Sequence, residues 1–406
     1  MRLRNWKTLA VVVAVVSQFT LVASADKKYD PGVTDTEVKL GQTIPYSGPA
    51  SAYANYGRVE TAYFQMINEQ GGINGRKVKL ISLDDGFSPP RTVEQTRKLV
   101  EHEGVLSIFG SLGTAPNSAI MKYLNAQKIP HLFLATAAAK FYDPRNSPWT
   151  MGILFNYEEE AAIYARHLLS TKPDAKVAIL FQNDDFGKDF VKGFKIGLGD
   201  KAARMIVAEL SYEISDPTVD SQIVSLKSSG ADTIFNITTP KFAAQTLRKM
   251  WEMGWQPTHY LTFPSSSIAT VLTPAGVEKA LGVFSASPGK DPSDPQWAND
   301  ADMRAYLAFM QKYYPEGNVY DHHNVIAYIS AFLMSHVLKQ CGDDLTRENV
   351  MKQATNIHDV NVPLLLPGVK VSTSPSQYQQ IHQMRMRRFD GKRWVYFGDL
   401  IEGSLR

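Results

Sequence analysis

The sequence predicts an α/β protein of two doubly wound parallel-sheet lobes joined by a multi-strand hinge, and three observations predict it. Short β-rich runs alternate with helical periods from Val38 onward, and the same rhythm restarts near Ala161. A polar stretch from Ser287 to Pro295 then breaks the alternation and is followed by two strong helices with no strands beside them. Strand–helix alternation is what a parallel sheet produces, because parallel strands are joined only by a crossover that covers the sheet face.

The elements follow in order. Val38–Ile44 reads as a strand, a Pro-Ser-Gly-Pro loop follows, and Val59, Ala62, Tyr63, Met66 and Ile67 then line one face of a helix stopped by Gly71-Gly72. Lys77–Leu83 is the second strand, and Ser88 with Pro89-Pro90 opens the second helix, since proline is tolerated in a first helical turn. Val105–Gly110, a helix over 114–127 and a strand over 131–135 continue the pattern. The second run reads helix 161–169, strand 177–181, helix 186–198, strand 205–210, helix 221–227, strand 233–237, helix 242–253 and strand 260–263. Helices around 303–313 and 325–338 are expected to return to the first lobe, with last strands near Val369 and over 394–397 completing the second. The division expected is 36–152 with 286–362 for the first lobe and 153–285 with 363–402 for the second. Several chain crossings suit a hinge.

The first 25 residues read as an export leader: Arg2, Arg4 and Lys7 precede an apolar run from Leu9 to Val22, and Ala23-Ser24-Ala25 offers a small-residue cleavage site. The run contains Ser17, Gln18 and Thr20 and is short for a bilayer, which takes about 20 residues. The leader holds three of the 43 Lys+Arg and none of the 40 Asp+Glu, so the formal net charge of +3 vanishes with it. A neutral chain with dispersed basic residues has no footprint for a phosphate backbone, so nucleic acid is not expected as a partner. The single cysteine, Cys341, rules out an intrachain disulfide and a Cys-rich metal site. No cysteine lies near the cleavage point, so a soluble, monomeric periplasmic protein is expected rather than a lipid-anchored one.

Catalytic signatures are sparse: there is no Gly-Lys-Ser/Thr phosphate loop, HExxH, GxSxG or GxGxxG after a strand. No cofactor is expected. Asp321-His322-His323 suggests metal only weakly, because adjacent histidines on a helix are expected to point apart and no third ligand stands at a convincing spacing. Asp84-Asp85 and Asp184-Asp185 at strand ends serve either acid–base chemistry or loop and cap duty. Gly110-Ser111-Leu112-Gly113-Thr114 is either a tight turn or an anion-receiving helix start. More prominent is a set of hydroxyl and aromatic residues at strand ends, among them Tyr46, Ser47, Tyr53, Tyr56, Thr114, Thr136, Phe186 and Thr239. Ligands of open α/β sheets sit at those carboxyl ends.

At these residues the chain resembles the leucine/isoleucine/valine-binding family of periplasmic receptors of ABC importers, with the type I periplasmic-binding fold. The matching pieces are Val38-Lys39-Leu40-Gly41, Pro45-Tyr46-Ser47-Gly48-Pro49, Ile67-Asn68-Glu69-Gln70-Gly71-Gly72-Ile73-Asn74-Gly75, Asp84-Asp85, Gly110 to Thr114, Ile129-Pro130, Asp185-Phe186-Gly187 and Leu247-Arg248. The resemblance implies a non-enzymatic receptor that hands a small solute to permease subunits. It implies that Ser47 and Tyr53 line the first cleft loop, and that Gly113, Thr114 and the Ala135-Thr136-Ala137 loop take a ligand carboxylate. Phe186 falls where the family often has tyrosine, and Thr239 where amino-acid binders often have an aromatic.

Departures from the family pattern bear on the ligand. Amino-acid binders carry an acidic residue after the strand read at 260–263, whereas this chain has Phe263-Pro264-Ser265-Ser266-Ser267. A buried ammonium needs a counter-charge, so the resemblance implies a carboxylate, with an aromatic or other hydrophobic body, rather than an α-amino acid. Ala137 replaces a common threonine, and Phe87 and Gly113 stand where some members have a disulfide. The rival expectation is a periplasmic enzyme using the strand-end carboxylates.

Overall fold

Strand β1 (Glu37–Ile44) pairs with β2 (Lys77–Asp84) along its whole length and with β3 (Ser107–Phe109) on its other edge. Its side chains are buried from Leu40 onward, as a strand covered on both faces must be. Strands β4 (His131–Leu134) and β5 (Thr150–Gly152) complete a five-stranded parallel sheet of order β2-β1-β3-β4-β5. The computed structural model describes residues 27–153, 155–358 and 360–405; the expected leader lies outside them.

Helices α1 (Asn55–Glu69), α2 (Pro89–Arg97) and α3 (Thr114–Ala126) connect these strands. Helix α1 ends where expected: Gly72 has φ +77°, and a side chain there would strike the Arg76 carbonyl.

The chain then continues into a second sheet, which begins after Asn156. Asn156 caps α4 (Tyr157–Thr171) by accepting the Glu158 amide at 2.9 Å. Strand β6 (Val177–Gln182), α5 (Asp185–Leu198), β7 (Ile206–Tyr212), α6 (Asp220–Ser228), β8 (Thr233–Ile237), α7 (Pro240–Glu252), β9 (Thr258–Leu261) and β10 (Phe284–Ser287) follow. Helix α8 (Ala301–Tyr313) and the long α9 (His322–Cys341) pack on α1, and α10 (Arg347–Ala354) packs on α9.

The ending differs from the expectation. No strand forms at Val369: Pro367-Gly368 turns the chain there, with Gly368 at φ +92° and the Val369 amide bonded to the Leu366 carbonyl at 3.0 Å. The edge is built instead by β11 (Gln383–Phe389) and β12 (Trp394–Glu402), giving the order β12-β11-β10-β9-β8-β6-β7. Strand β11 runs antiparallel to both neighbours, so this sheet is parallel only as far as β10. Two crossing segments pair with each other: Lys290 N donates to Leu364 O at 2.7 Å and Leu366 N to Pro288 O at 2.9 Å. These pairs tie adjacent crossings into the expected multi-strand hinge.

Candidate functional site

In both sheets the strand order reverses beside the strand that comes first, β1 in one and β6 in the other, so the loops after successive strands diverge and leave a crevice at the carboxyl ends. The loops of the two sheets meet there around a cavity of about 30 Å³. Its walls are Tyr53, Tyr56, Phe87, Leu112, Gly113, Thr114, Ala135, Tyr157, Phe186, Thr239 and Pro264. A pocket for a small organic molecule usually measures about 300 Å³ or more, so the walls must part to admit one. They touch across the crevice: the Tyr53 hydroxyl donates to the Pro264 carbonyl at 3.2 Å.

Seven residues singled out from sequence therefore line one cavity: Tyr53, Tyr56, Gly113, Thr114, Ala135, Phe186 and Thr239. Four others lie off its wall. The Tyr46 hydroxyl is 2.6 Å from Ser82 Oγ, and that of Ser47 donates to Asp84 at 2.6 Å. Thr136 stands behind the wall with its Oγ1 2.6 Å from Thr114 Oγ1, and the Ala137 carbonyl accepts the Tyr157 amide at 3.2 Å.

The amides expected to meet an anion are partly committed. Gly113 N approaches the Ala135 carbonyl at 3.4 Å and Ala135 N donates to the Ser111 carbonyl at 3.0 Å. What faces the cavity from this loop is the first turn of α3, whose leading amides have no intrahelical acceptor. Gly113 adopts φ +99°, and a Cβ there would strike the Phe87 ring. Phe87 is itself at φ +61°, a costly conformation for a bulky residue. Asp85 stabilises it by accepting the Phe87 amide at 2.9 Å and the Thr92 hydroxyl at 2.8 Å.

The other strand-end carboxylates are likewise engaged. Asp84 accepts Ser47, the Gly86 amide and Arg91, and Asp184 caps α5 through the Gly187 amide at 3.2 Å. On the opposite wall Thr239 is oriented by Tyr212: the Thr239 amide donates to the phenol oxygen at 2.9 Å, and that hydroxyl donates to Gln182 Oε1 at 3.1 Å.

Four wall residues were not among the residues singled out from sequence: Phe87, Leu112, Tyr157 and Pro264. Tyr157 stacks on Phe190 with ring centroids 4.7 Å apart and meets Phe186 edge-on at 5.2 Å. Its place immediately after a crossing was the available signal. No Asp, Glu, Lys, Arg or His lines the cavity. A buried carboxyl against the Phe263–Ser267 loop, Glu160, is spent on the Phe263 amide and the Tyr164 hydroxyl, each at 2.7 Å.

Beside the cavity, Asp321, His322 and His323 bring their donor atoms within 4.8 Å of one another. The two rings, expected to point apart, have centroids 4.3 Å apart, because both lean from the first turn of α9 onto the Phe263–Ser267 loop. His322 packs on Phe263, and His323 Nε2 lies 3.0 Å from the Pro264 carbonyl. Asp321 accepts Asn55 Nδ2, Ser267 Oγ and the His323 amide at 2.9, 2.9 and 3.1 Å, so its oxygens serve to join elements.

Two α/β lobes that meet through their strand-end loops, with three crossings between them, define the architecture of the type I periplasmic binding proteins. The chain belongs to the periplasmic binding protein family, whose description, "Periplasmic binding protein", matches residues 37–393. It is 24% identical over 258 residues to the Leu/Ile/Val-binding protein homolog 7 of Brucella abortus (strain 2308), a match covering 61% of each chain. That match spans about three-fifths of the relative's length. Among solved structures, a branched chain amino acid ABC transporter protein from Thermus thermophilus with bound valine superposes with a TM-score of 0.83 at 17% identity, covering 92% of this chain and 98% of that one. A fatty acid ABC transporter substrate-binding protein from Thermomonospora curvata gives 0.76 at 20% identity, covering 93% and 96%. Both likenesses concern the fold. Among the described residues no helix is long and apolar enough to cross a membrane.

Proposed function

We propose that this chain is the solute receptor of an ABC importer and that it closes its lobes on a small carboxylate with an aromatic or other hydrophobic body. The carrying observation is the cavity wall: hydroxyls of Thr114 and Thr239, aromatic rings of Tyr53, Tyr56, Phe87, Tyr157 and Phe186, and no acidic or basic side chain. An α-amino acid would bury its ammonium there without a counter-charge, whereas a carboxylate can be held by hydroxyls and by the free amides opening α3. Proteins similar to this chain include a fatty acid ABC transporter substrate-binding protein as well as a Leu/Ile/Val-binding protein homolog.

In this reading the lobes comprise 36–152 with 286–362 and 153–285 with 363–402. The protein works as a periplasmic monomer after losing its leader near Ala25, its partners are the permease subunits of an inner-membrane importer, and no bond is made or broken. Delivery requires only that the solute favours the closed state. Native mass spectrometry of the protein taken from the periplasm tests the reading. A copurifying carboxylic acid released on denaturation supports it, and copurifying leucine, isoleucine or valine overturns it.

A further inference from the structure

The carboxyl ends of the second sheet face the solute cavity, and its amino ends carry a larger hollow. This hollow has a volume of about 810 Å³, within the range of about 300–1,000 Å³ common for small-molecule sites. It is walled by the starts of β9 and β10, the end of α7 and the last residues of β11. Strand β11 runs antiparallel to β10, and this direction brings Arg388 beside Phe284. The hollow shares no wall residue with the cavity between the sheets.

Three observations on this wall point to a ligand. Trp251 and Leu281 are 48% and 66% exposed; large apolar side chains left wet together around a concavity mark a binding surface. His259 is only 5% exposed, with its Nε2 3.2 Å from Asn236 Nδ2, yet its Nδ1 has no partner among the described residues. Whichever ring nitrogen carries the hydrogen, Nδ1 is a polar atom on the wall with its bonding capacity unspent, and a buried polar group left unpaired is costly. The third observation is charge. Lys279 donates to the Ala275 carbonyl at 3.1 Å and pairs with Glu278 at 3.8 Å, and Asp390 accepts the Lys392 and Arg393 amides at 2.8 Å each. The Arg388 guanidinium lies 5.4 Å from the Phe284 ring centroid and makes no hydrogen bond or ion pair among the described residues. The uncommitted charge of the hollow is therefore positive.

We propose that this hollow is a second ligand site, for an aromatic or aliphatic organic acid. The apolar body lies among Trp251, Trp255, Leu281 and Phe284, the acid group meets Arg388, and His259 Nδ1 is available to a polar substituent. The site lies at the opposite end of the strands from the solute cavity and does not depend on what that cavity carries.

Fluorescence titration tests this with anilinonaphthalene sulfonate and its neutral counterpart phenylnaphthylamine on the wild type, Arg388→Gln and Trp251→Ala. Both replaced side chains are exposed, and unchanged circular dichroism identifies folded variants. The wild type should bind one equivalent of the sulfonate. An ion pair at an exposed site contributes modestly, so Arg388→Gln should weaken the sulfonate about fivefold and leave the neutral probe within about twofold. Trp251→Ala removes apolar contact and should weaken both probes about fivefold or more. A wild type that binds no sulfonate overturns the site, as does a sulfonate affinity that neither variant changes, which would put the probe elsewhere. Equal weakening of both probes by Arg388→Gln overturns the assignment of the ligand as an acid.

Discussion

The Asp321 carboxylate accepts a hydrogen bond from Ser267 Oγ at 2.9 Å, joining the start of α9 to the loop that follows β9 in the other sheet. With Asn55 on a second oxygen, this one carboxylate holds α1, α9 and the 263–267 loop together. Burial would raise its proton affinity, but His323, then His322 and Ser267, outweigh it and hold the carboxyl well below the usual 3.8. A depressed acid contributes stability above its unfolded value and loses it as pH falls below that value. The join is therefore at full strength at neutral pH.

Ser267→Ala should shift the solute-free protein toward an open form. A bond to a charged acceptor contributes about 1.5–3 kcal/mol, enough to change the closed-to-open ratio at least tenfold. Small-angle scattering at pH 7 should show a larger radius of gyration for the variant; an unchanged radius would show that Asp321–Ser267 does not hold the lobes.

Glu160 gives the opposite pH dependence. Burial raises its carboxyl to about 7 against the Phe263 amide, the Tyr164 hydroxyl and Arg387, which pull it down. A raised acid leaves the fold most stable below its unfolded value near 4.5 and weakens it as pH climbs toward 7, by up to about 3 kcal/mol. Glu160→Gln should flatten that slope, seen as a smaller loss of melting temperature between pH 5 and pH 7.5 in calorimetric scans.

Gly113→Ala should cost more than about 1 kcal/mol, since it combines a positive φ with a clash against the Phe87 ring. Because that ring lines the cavity, solute affinity should fall as well. Adding Phe87→Ala should recover part of the affinity, and urea unfolding with calorimetry reads both effects.

Much of this was legible in the sequence because periodicity reports burial. Thr233–Ile237 and the first four strands of the five-stranded sheet read as strands because their apolar residues come in short runs bounded by turn residues, and α8 and α9 read as helices without strands of their own. Strand β11 was missed because Gln-Met-Arg-Met-Arg-Arg-Phe looks like a charged loop. Its alternation is real, with Met384 and Met386 buried, and Arg387 is buried too, against Asp291 at 3.2 Å and Trp394. β5 was missed because three residues carry no period. In the cavity, strand-end hydroxyls and aromatics were found by position. Phe87 and Tyr157 were not, because a left-handed phenylalanine and a tyrosine after a crossing have no sequence period.

Cys341 is buried on α9, and burial, aided by Asp344, pushes its thiol up to about 12. The thiolate is the reactive species, so a disulfide reagent should leave the native protein unlabelled for hours and label it stoichiometrically in denaturant.

The central claim is that the cavity accepts an uncompensated carboxylate and not an ammonium. Competition calorimetry of the purified wild type at pH 7.5, titrating 4-coumarate, benzoate and octanoate against leucine and phenylalanine, measures it most directly. At least one acid without an amino group should bind at least tenfold more tightly than either amino acid. Leucine or phenylalanine binding more tightly than all three acids would contradict the account.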